Sequence, residues 1–150
     1  MAWTVKGTDV GAGRKTTGTA VATLTTGYAT GDVLVAFIAK DPGSATGVAG
    51  AVGTGSATVS DSKSNVWVRA GEYRAGASAA TTGIIGGIFY TQVTTALVSG
   101  DTVQVNVTSN VPAKAISVQG FTGITPGQLS NASTSGFTTS GTATGGISLA

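Results

Sequence analysis

Apolar and polar residues alternate along several short stretches of the chain, with the period of two that a β-strand requires. Between residues 102 and 108 every second residue is a valine, and the residues between the valines are polar. This pattern predicts a strand with one face in a core and the other towards solvent. Helix signals are sparse, because glycines and β-branched residues interrupt every window in which an apolar stripe with a period of 3.6 could run.

Residues 33–39 (VLVAFIA) are apolar on both sides of the predicted strand. Such a strand is either central and covered on both faces, or its outer face is buried by a neighbouring subunit. Both interpretations remain open from the sequence alone.

Further strands are predicted where β-branched and aromatic residues lie between Gly, Asp, Asn and Pro signals. They are residues 19–25, 57–60, 66–70, 84–92 and 114–121. Gly31 with Asp32, and Gly100 with Asp101, each end a turn and begin a strand, since Gly accepts a positive φ and Asp can bond to its own backbone two residues on. The chain shows no exact internal repeat. We expect an all-β fold, a single antiparallel β-sandwich over residues 1–125.

Residues 126–150 differ from the rest because they carry no charge and their larger apolar residues are widely spaced. They cannot form a core of their own. We expect an extended C-terminal arm that adds as a strand to the edge of another subunit, or a flexible linker. In the first case its apolar side chains contact the partner: Leu129, Phe137, Ile147 and Leu149.

The composition narrows the possible functions. Charged residues are 9% of the chain, against roughly 25% in an average domain. The 8 Lys and Arg residues are scattered, so nucleic acid is not expected as a partner. The chain has no His and no Cys, which removes the usual proton shuttle, thiolate metal sites and most hydrolase designs. With neither a leader signal nor an apolar run of about 18 residues, we expect a cytoplasmic chain that does not bind membranes.

Two segments resemble ligand loops without meeting their requirements. Residues 11–17 (GAGRKTT) depart from the spacing of a phosphate-binding loop, so a solvated basic turn is the better interpretation. Residues 61–65 (DSKSN) begin like a calcium loop but lack its central Gly and its distal Glu, which favours a turn between strands. Glu72 lies near Arg69 and Arg74, and we expect a surface ion pair there.

The aromatic residues bear on a second function, carbohydrate binding. A strand Trp in a sandwich usually lies in the core, so a sugar-stacking platform is the less favoured interpretation. Solvent exposure of Trp67 or Tyr73 beside polar groups would favour it.

Four segments in order resemble a known domain type: residues 31–39, 59–67, 100–107 and 115–124. Together they are similar to the β-sandwich domain, Ig-like or jelly-roll in style, of bacteriophage structural proteins and some bacterial surface proteins. The resemblance covers residues 21–124, and its motifs are structural. In that family the turn before the Trp reads Asp-x-x-Gly-Asn, whereas this chain has Ser64 at the position of the Gly.

The resemblance implies a non-enzymatic structural virion protein, a phage capsid decoration or cement protein that binds the capsid lattice through protein–protein contacts. Its implied partners are the major capsid protein or other virion proteins, and further copies of itself in a homo-oligomer. We expect it in the virion, assembled in the host cytoplasm, with no catalytic residue, metal or cofactor. The alternative is a carbohydrate-binding or adhesion module of a tail, a fibre or a bacterial surface.

Overall fold

The computed structural model describes residues 3–10, 19–41, 57–75, 84–107 and 113–123. These residues form strands and turns and contain no helix. The strands are β1 (Thr4–Val10), β2 (Ala20–Thr23), β3 (Val33–Lys40), β4 (Ala57–Asp61), β5 (Val68–Ala75), β6 (Ile84–Gln92), β7 (Thr102–Val107) and β8 (Lys114–Thr122).

The strands form two antiparallel sheets that face each other. The five-stranded sheet has the order β1-β8-β3-β6-β5, and the three-stranded sheet has the order β2-β7-β4. Valines and alanines of the small sheet and larger apolar residues of the large sheet belong to one buried cluster. The predicted all-β sandwich is therefore confirmed.

The strand pairing follows the jelly-roll scheme, in which a long antiparallel ribbon wraps around a core and its two arms alternate between the sheets. β1 pairs with β8, β2 with β7 and β3 with β6. In a complete roll β4 would pair with β5. Here β5 pairs with β6 instead and becomes an edge of the large sheet. The chain enters and leaves this arrangement side by side, since Thr4 lies opposite Thr122.

Most predicted strands agree with the structure to within one or two residues, but two differ. Strand β1 was not predicted, because its pattern is broken by a bulge between Val5 and Gly7 and by a polar residue, Asp9, that is buried on the inner face. Strand β5 begins two residues later than predicted and extends to Ala75.

Three described segments cross from one sheet to the other at the same end of the sandwich, which we call the crossover end. They are the turn at residues 62–67 and two longer segments, which we call the crossover segments. Residues 24–32 (LTTGYATGD) connect β2 to β3, and residues 93–101 (VTTALVSGD) connect β6 to β7. They run antiparallel, and Tyr28 and Leu97 exchange backbone hydrogen bonds of 2.8 and 2.9 Å at their centre. When the two segments are aligned in sequence order, with Leu24 against Val93 and Asp32 against Asp101, they carry the same or similar residues at most positions. They form an approximate repeat, of which the sequence pattern had indicated only the two Gly-Asp turns.

Both turns close in the same way, with the Gly at positive φ as predicted and the Asp bonded to the backbone three residues before it rather than two residues after it. The Asp32 carboxylate accepts a hydrogen bond of 2.8 Å from the N–H of Ala29, and the Asp101 carboxylate accepts one of 2.8 Å from the N–H of Val98. The preceding glycines have φ values of 97° and 96°. Each carboxylate also meets a lysine, at 2.7 Å for Lys6 with Asp32 and at 3.5 Å for Lys63 with Asp101.

A buried polar side chain holds each crossover segment at equivalent positions. Asp9 accepts hydrogen bonds of 2.9 and 2.6 Å from the N–H and hydroxyl of Thr25. Asn65 accepts bonds of 2.9 and 3.0 Å from the same two groups of Thr94. These bonds satisfy the backbone N–H groups of Thr25 and Thr94, which have no strand partner.

Tyr28 fastens the first crossover segment to the large sheet. Its side chain is 1% exposed, and its hydroxyl donates to Asp9 at 3.3 Å. The ring lies over two glycines: a Cβ added at Gly120 would come within 2.0 Å of a ring carbon, and one at Gly7 within 2.7 Å of the hydroxyl oxygen. Any larger residue at position 120 would displace the ring.

We therefore expect Gly120→Ala to lower the free energy of unfolding by about 2–3 kcal/mol, the cost of overpacking a buried contact. Urea denaturation followed by tryptophan fluorescence measures the change. Gly86→Ala is the matched control, because a Cβ there meets only the carbonyl oxygen of Ile38, at 3.8 Å. Equal effects of the two variants would contradict the packing of Tyr28 described here.

The environment of Tyr28 also predicts a loss of stability at high pH. Burial, followed by the charge of Asp9 and the hydrogen bond to it, raises the pKa of Tyr28 from 10.0 to about 12. A raised tyrosine pKa means that the folded state favours the neutral phenol, so its contribution is complete below pH 10 and is lost as the pH rises through 12. We expect a fall in the free energy of unfolding across this interval that is smaller in Tyr28→Phe, measured by urea denaturation at each pH.

Candidate protein interaction surface

The outer face of the five-stranded sheet is the main candidate for a functional surface, and we call it the apolar face. Leu34, Ala36 and Ile38 point into the core, so the intervening residues of β3 point outwards. The strand registers extend this face across the sheet. Its described members are Trp3, Val5, Thr8, Val33, Val35, Phe37, Ala39, Val68, Ile84, Gly86, Ile88, Tyr90, Gln92, Ala115, Ser117, Gln119 and Phe121.

Several large apolar side chains on this face are exposed to solvent, whereas Val33 and Val35 on the same face are buried. Phe37, near its centre, is 45% exposed, and Val5, Val68 and Ile84 towards its margins are 40–50% exposed. Trp3 is half exposed and packs edge-on against Phe121, with ring centroids 5.2 Å apart. A contiguous surface of this kind is typical of sites that contact another protein.

None of the described side chains on the apolar face carries a charge. The nearest cation, Lys6, lies in the bulge of β1 and is turned away towards Asp32 and the ring of Tyr28. The polar members are neutral hydroxyls and amides such as Gln119. The face can thus be covered by a partner without burying an ionised group.

The outer face of the three-stranded sheet is different in chemistry. It presents hydroxyl and amide side chains of β4 and β7, and three of them bond to one another. Asn106 donates to the Ser60 hydroxyl at 2.9 Å, and Gln104 donates to the Asn106 carbonyl at 3.1 Å. Such a polar network is typical of a surface that faces solvent. The outer faces of the two sheets therefore suit different surroundings.

The two-sided apolar pattern of residues 33–39 was the sequence signal for the apolar face. β6 carries the same signal, because Ile84, Ile88 and Tyr90 alternate with the buried Ile85 and Phe89. The contribution of the sheet margins was missed, since only the strand order places Val5 and Val68 beside this surface. β3 is the central strand, as one interpretation predicted, and its outward Val33 and Val35 are buried, whereas Phe37 is exposed. Cover of Phe37 by a neighbouring subunit stays a prediction.

Some predicted site residues lie outside the part of the chain that the structure describes. Leu129, Phe137, Ile147 and Leu149, the predicted partner contacts, lie outside the described residues, as does the basic segment 11–17. Their roles stay predictions.

The segment that begins like a calcium loop is a turn between β4 and β5. The Asp61 carboxylate accepts hydrogen bonds from the backbone N–H of Lys63 at 2.8 Å and from the indole Nε1 of Trp67 at 2.7 Å. Asn65 donates to it as well, through its backbone at 3.2 Å. Ser64 adopts φ 60°, the left-handed conformation that favours Gly.

Trp67 is partly buried and packs against the core, and its N–H is bonded to Asp61. Its ring is therefore not a free platform for stacking on a sugar. Phe89 is buried, Tyr90 is half-buried on the apolar face, and the side chain of Tyr73 lies outside the described residues.

The prediction of a surface ion pair at Glu72 was wrong. Arg69 lies 3.6 Å from Glu72, but the Glu72 side chain is only 3% exposed, because both residues belong to the inner face of β5. Arg69 also donates to the backbone carbonyl of Ala57 on β4 at 2.7 Å and lies over the ring of Phe89. The pair joins the two sheets rather than decorating the surface.

In the part of the chain that the structure describes, no three His, Cys, Asp or Glu residues come together as a metal site. Nor does this part contain a helix suited to spanning a membrane. Comparison with protein-family models, curated proteins and solved structures finds no match to this chain.

The conformation of Ser64 generates a stability prediction. A non-glycine residue at positive φ is strained, and Gly relieves the strain while adding freedom to the unfolded chain. We expect Ser64→Gly to raise the free energy of unfolding by about 0.5–1 kcal/mol. Ser64→Ala is the control that removes the hydroxyl without relieving the backbone, and a gain of the same size in that variant would contradict the explanation. Thermal denaturation measures both.

Proposed function

We propose that this chain is a non-enzymatic structural protein that binds other proteins in a large assembly, as a decoration protein on the head of a bacteriophage. The observation that carries the proposal is the apolar face, a wide surface without charge on an otherwise hydroxyl-rich sandwich. Its partners in this role are the major capsid protein and further copies of itself. Its location is the virion, assembled in the host cytoplasm.

The use of the scarce carboxylates supports a structural role. Each of four holds the backbone or a side chain of its own fold: Asp9 accepts from Thr25 and Tyr28, Asp32 from Lys6 and Ala29, Asp61 from Trp67 and Lys63, and Asp101 from Val98 and Ser62. A carboxylate whose oxygens are occupied by structural donors is poorly placed to act as a general acid or base. The chain also lacks His and Cys.

The jelly-roll strand pairing is compatible with a structural virion protein and equally with a sugar-binding module, because viral capsid domains and lectins both use this architecture. Between these two, the contacts of Trp67 favour the capsid role, since a solvent-exposed ring at Trp67 or Tyr73 was the sign expected of the sugar-binding alternative and Trp67 packs against the core. Shallow contacts repeated by the symmetry of a capsid give strong retention without a deep pocket.

The proposal predicts that the purified protein is retained on phage heads. Heads that lack a decoration protein are mixed with the chain, sedimented and assayed for bound protein, and the same preparation is applied to a glycan array. We expect saturable retention on heads and none on sugars. Selective retention on a sugar, with none on heads or tails, would contradict the proposal and support the adhesion module.

A variant of the full chain tests the arm within the same assay. Replacing Leu129, Phe137, Ile147 and Leu149 by Ser keeps the length of the arm and removes its apolar contacts. If the arm binds the lattice, this variant is retained more weakly while its unfolding transition is unchanged. Unchanged retention would assign residues 126–150 to a passive linker.

A further inference from the structure

We propose that the apolar face is covered by the same face of a second copy of this chain, in a two-fold symmetric dimer. This inference rests on the proposed role as an assembly subunit and names the occupant of its main surface. Contacts with the capsid lattice are then made by other parts of the dimer.

The charge of the face indicates what can cover it. An ionised group buried against the apolar face would find no charge to pair with, because the described side chains of that face carry none. The occupant must itself present a wide, uncharged and largely apolar surface. The apolar face of a second copy meets this requirement. The outer face of the three-stranded sheet does not, because it presents polar amide and hydroxyl side chains that bond to one another.

The shape of the face is also suited to pairing with itself. Phe37 projects from the central strand, and in the next outward row Ala39 has the small residues Gly86 and Ala115 on either side. These rows are about 7 Å apart along the strand. The proposed two-fold axis lies in the plane of the interface, runs perpendicular to the strands and passes between the row of Phe37 and the row of Ala39. Rotation about this axis places Phe37 of each copy over Ala39 of the other. Large residues then meet small ones, as in well-packed sheets.

The edges of the same sheet oppose the other way of joining copies, which is pairing edge to edge. Both edge strands contain a register shift, in β1 between Val5 and Gly7 and in β5 between Arg69 and Gly71. Bulges interrupt the row of backbone groups that a further strand would need, and Lys6 adds a charge to one of them. Face-to-face packing is the route that remains for this sheet.

Sedimentation equilibrium tests the proposal on the full chain. The wild type is expected to be a dimer. Phe37→Glu buries a charge at the centre of the interface, so we expect its dissociation constant to rise by at least about a hundredfold. Thr58→Glu adds the same charge to the exposed polar face and should remain dimeric. Circular dichroism and thermal unfolding verify that both variants are folded.

Ala39→Phe separates a specific dimer from a merely adhesive surface. If Phe37 of the partner occupies the space above Ala39, the larger side chain collides with it and dimerisation weakens by about tenfold or more. If the face is only adhesive, the added apolar area strengthens association. A stronger dimer in Ala39→Phe, a monomeric wild type, or an intact dimer in Phe37→Glu would each overturn the proposal.

The head-binding assay keeps this inference distinct from the proposed function. A wild-type monomer that is retained on heads overturns the dimer and leaves the proposed function standing. A wild-type dimer that responds to Phe37→Glu and Ala39→Phe as expected, but is not retained on heads, supports the dimer and contradicts the proposed function.

Discussion

The backbone pairing of the two crossover segments is the interaction on which the rest of the sandwich depends. A jelly roll needs its chain to pass between sheets, and each passage exposes N–H and C=O groups that have no strand to bond to. Here two of these passages, centred on Tyr28 and Leu97, satisfy each other. The remaining donors go to Asp9 and Asn65, which reach the segments from β1 and from the turn after β4. Three of the buried polar residues, Asp9, Asp32 and Asn65, therefore serve the end at which these segments change sheets.

This arrangement explains why some elements could be predicted and others could not. Strands such as β6 and β7 keep a regular period of two, which is the local consequence of having one or both faces in contact with apolar neighbours. β1 has no such period, because its inner face supplies a carboxylate to the crossover rather than a methyl group to the core. Asp9 is needed because it accepts hydrogen bonds from Thr25 and Tyr28, which lie in another segment of the chain. The local sequence of β1 does not reveal these contacts.

The candidate surface was predictable to a similar degree. The two-sided pattern of β3 indicated that something covers its outer face, yet the extent of that surface depends on strand order, which short strands do not reveal. The misjudged Glu72 has the same origin. Its charged neighbours indicated a surface position, whereas the pairing of β5 with β6 places it towards the small sheet. The neighbours of Glu72 in the sequence indicate the environment that it prefers, whereas the sheet topology decides the environment that it has.

The adjacency of the first and last strands has a consequence for how this unit can be joined to others. Because Thr4 lies opposite Thr122, a polypeptide that runs into the sandwich through β1 and out through β8 returns to nearly the same point in space. Such a domain can be carried within a surface loop of another protein with little disturbance to its host. The same closeness would allow the start of β1 and the end of β8 to be spliced together and the ring to be reopened elsewhere, a cyclic rearrangement that leaves every sheet contact in place.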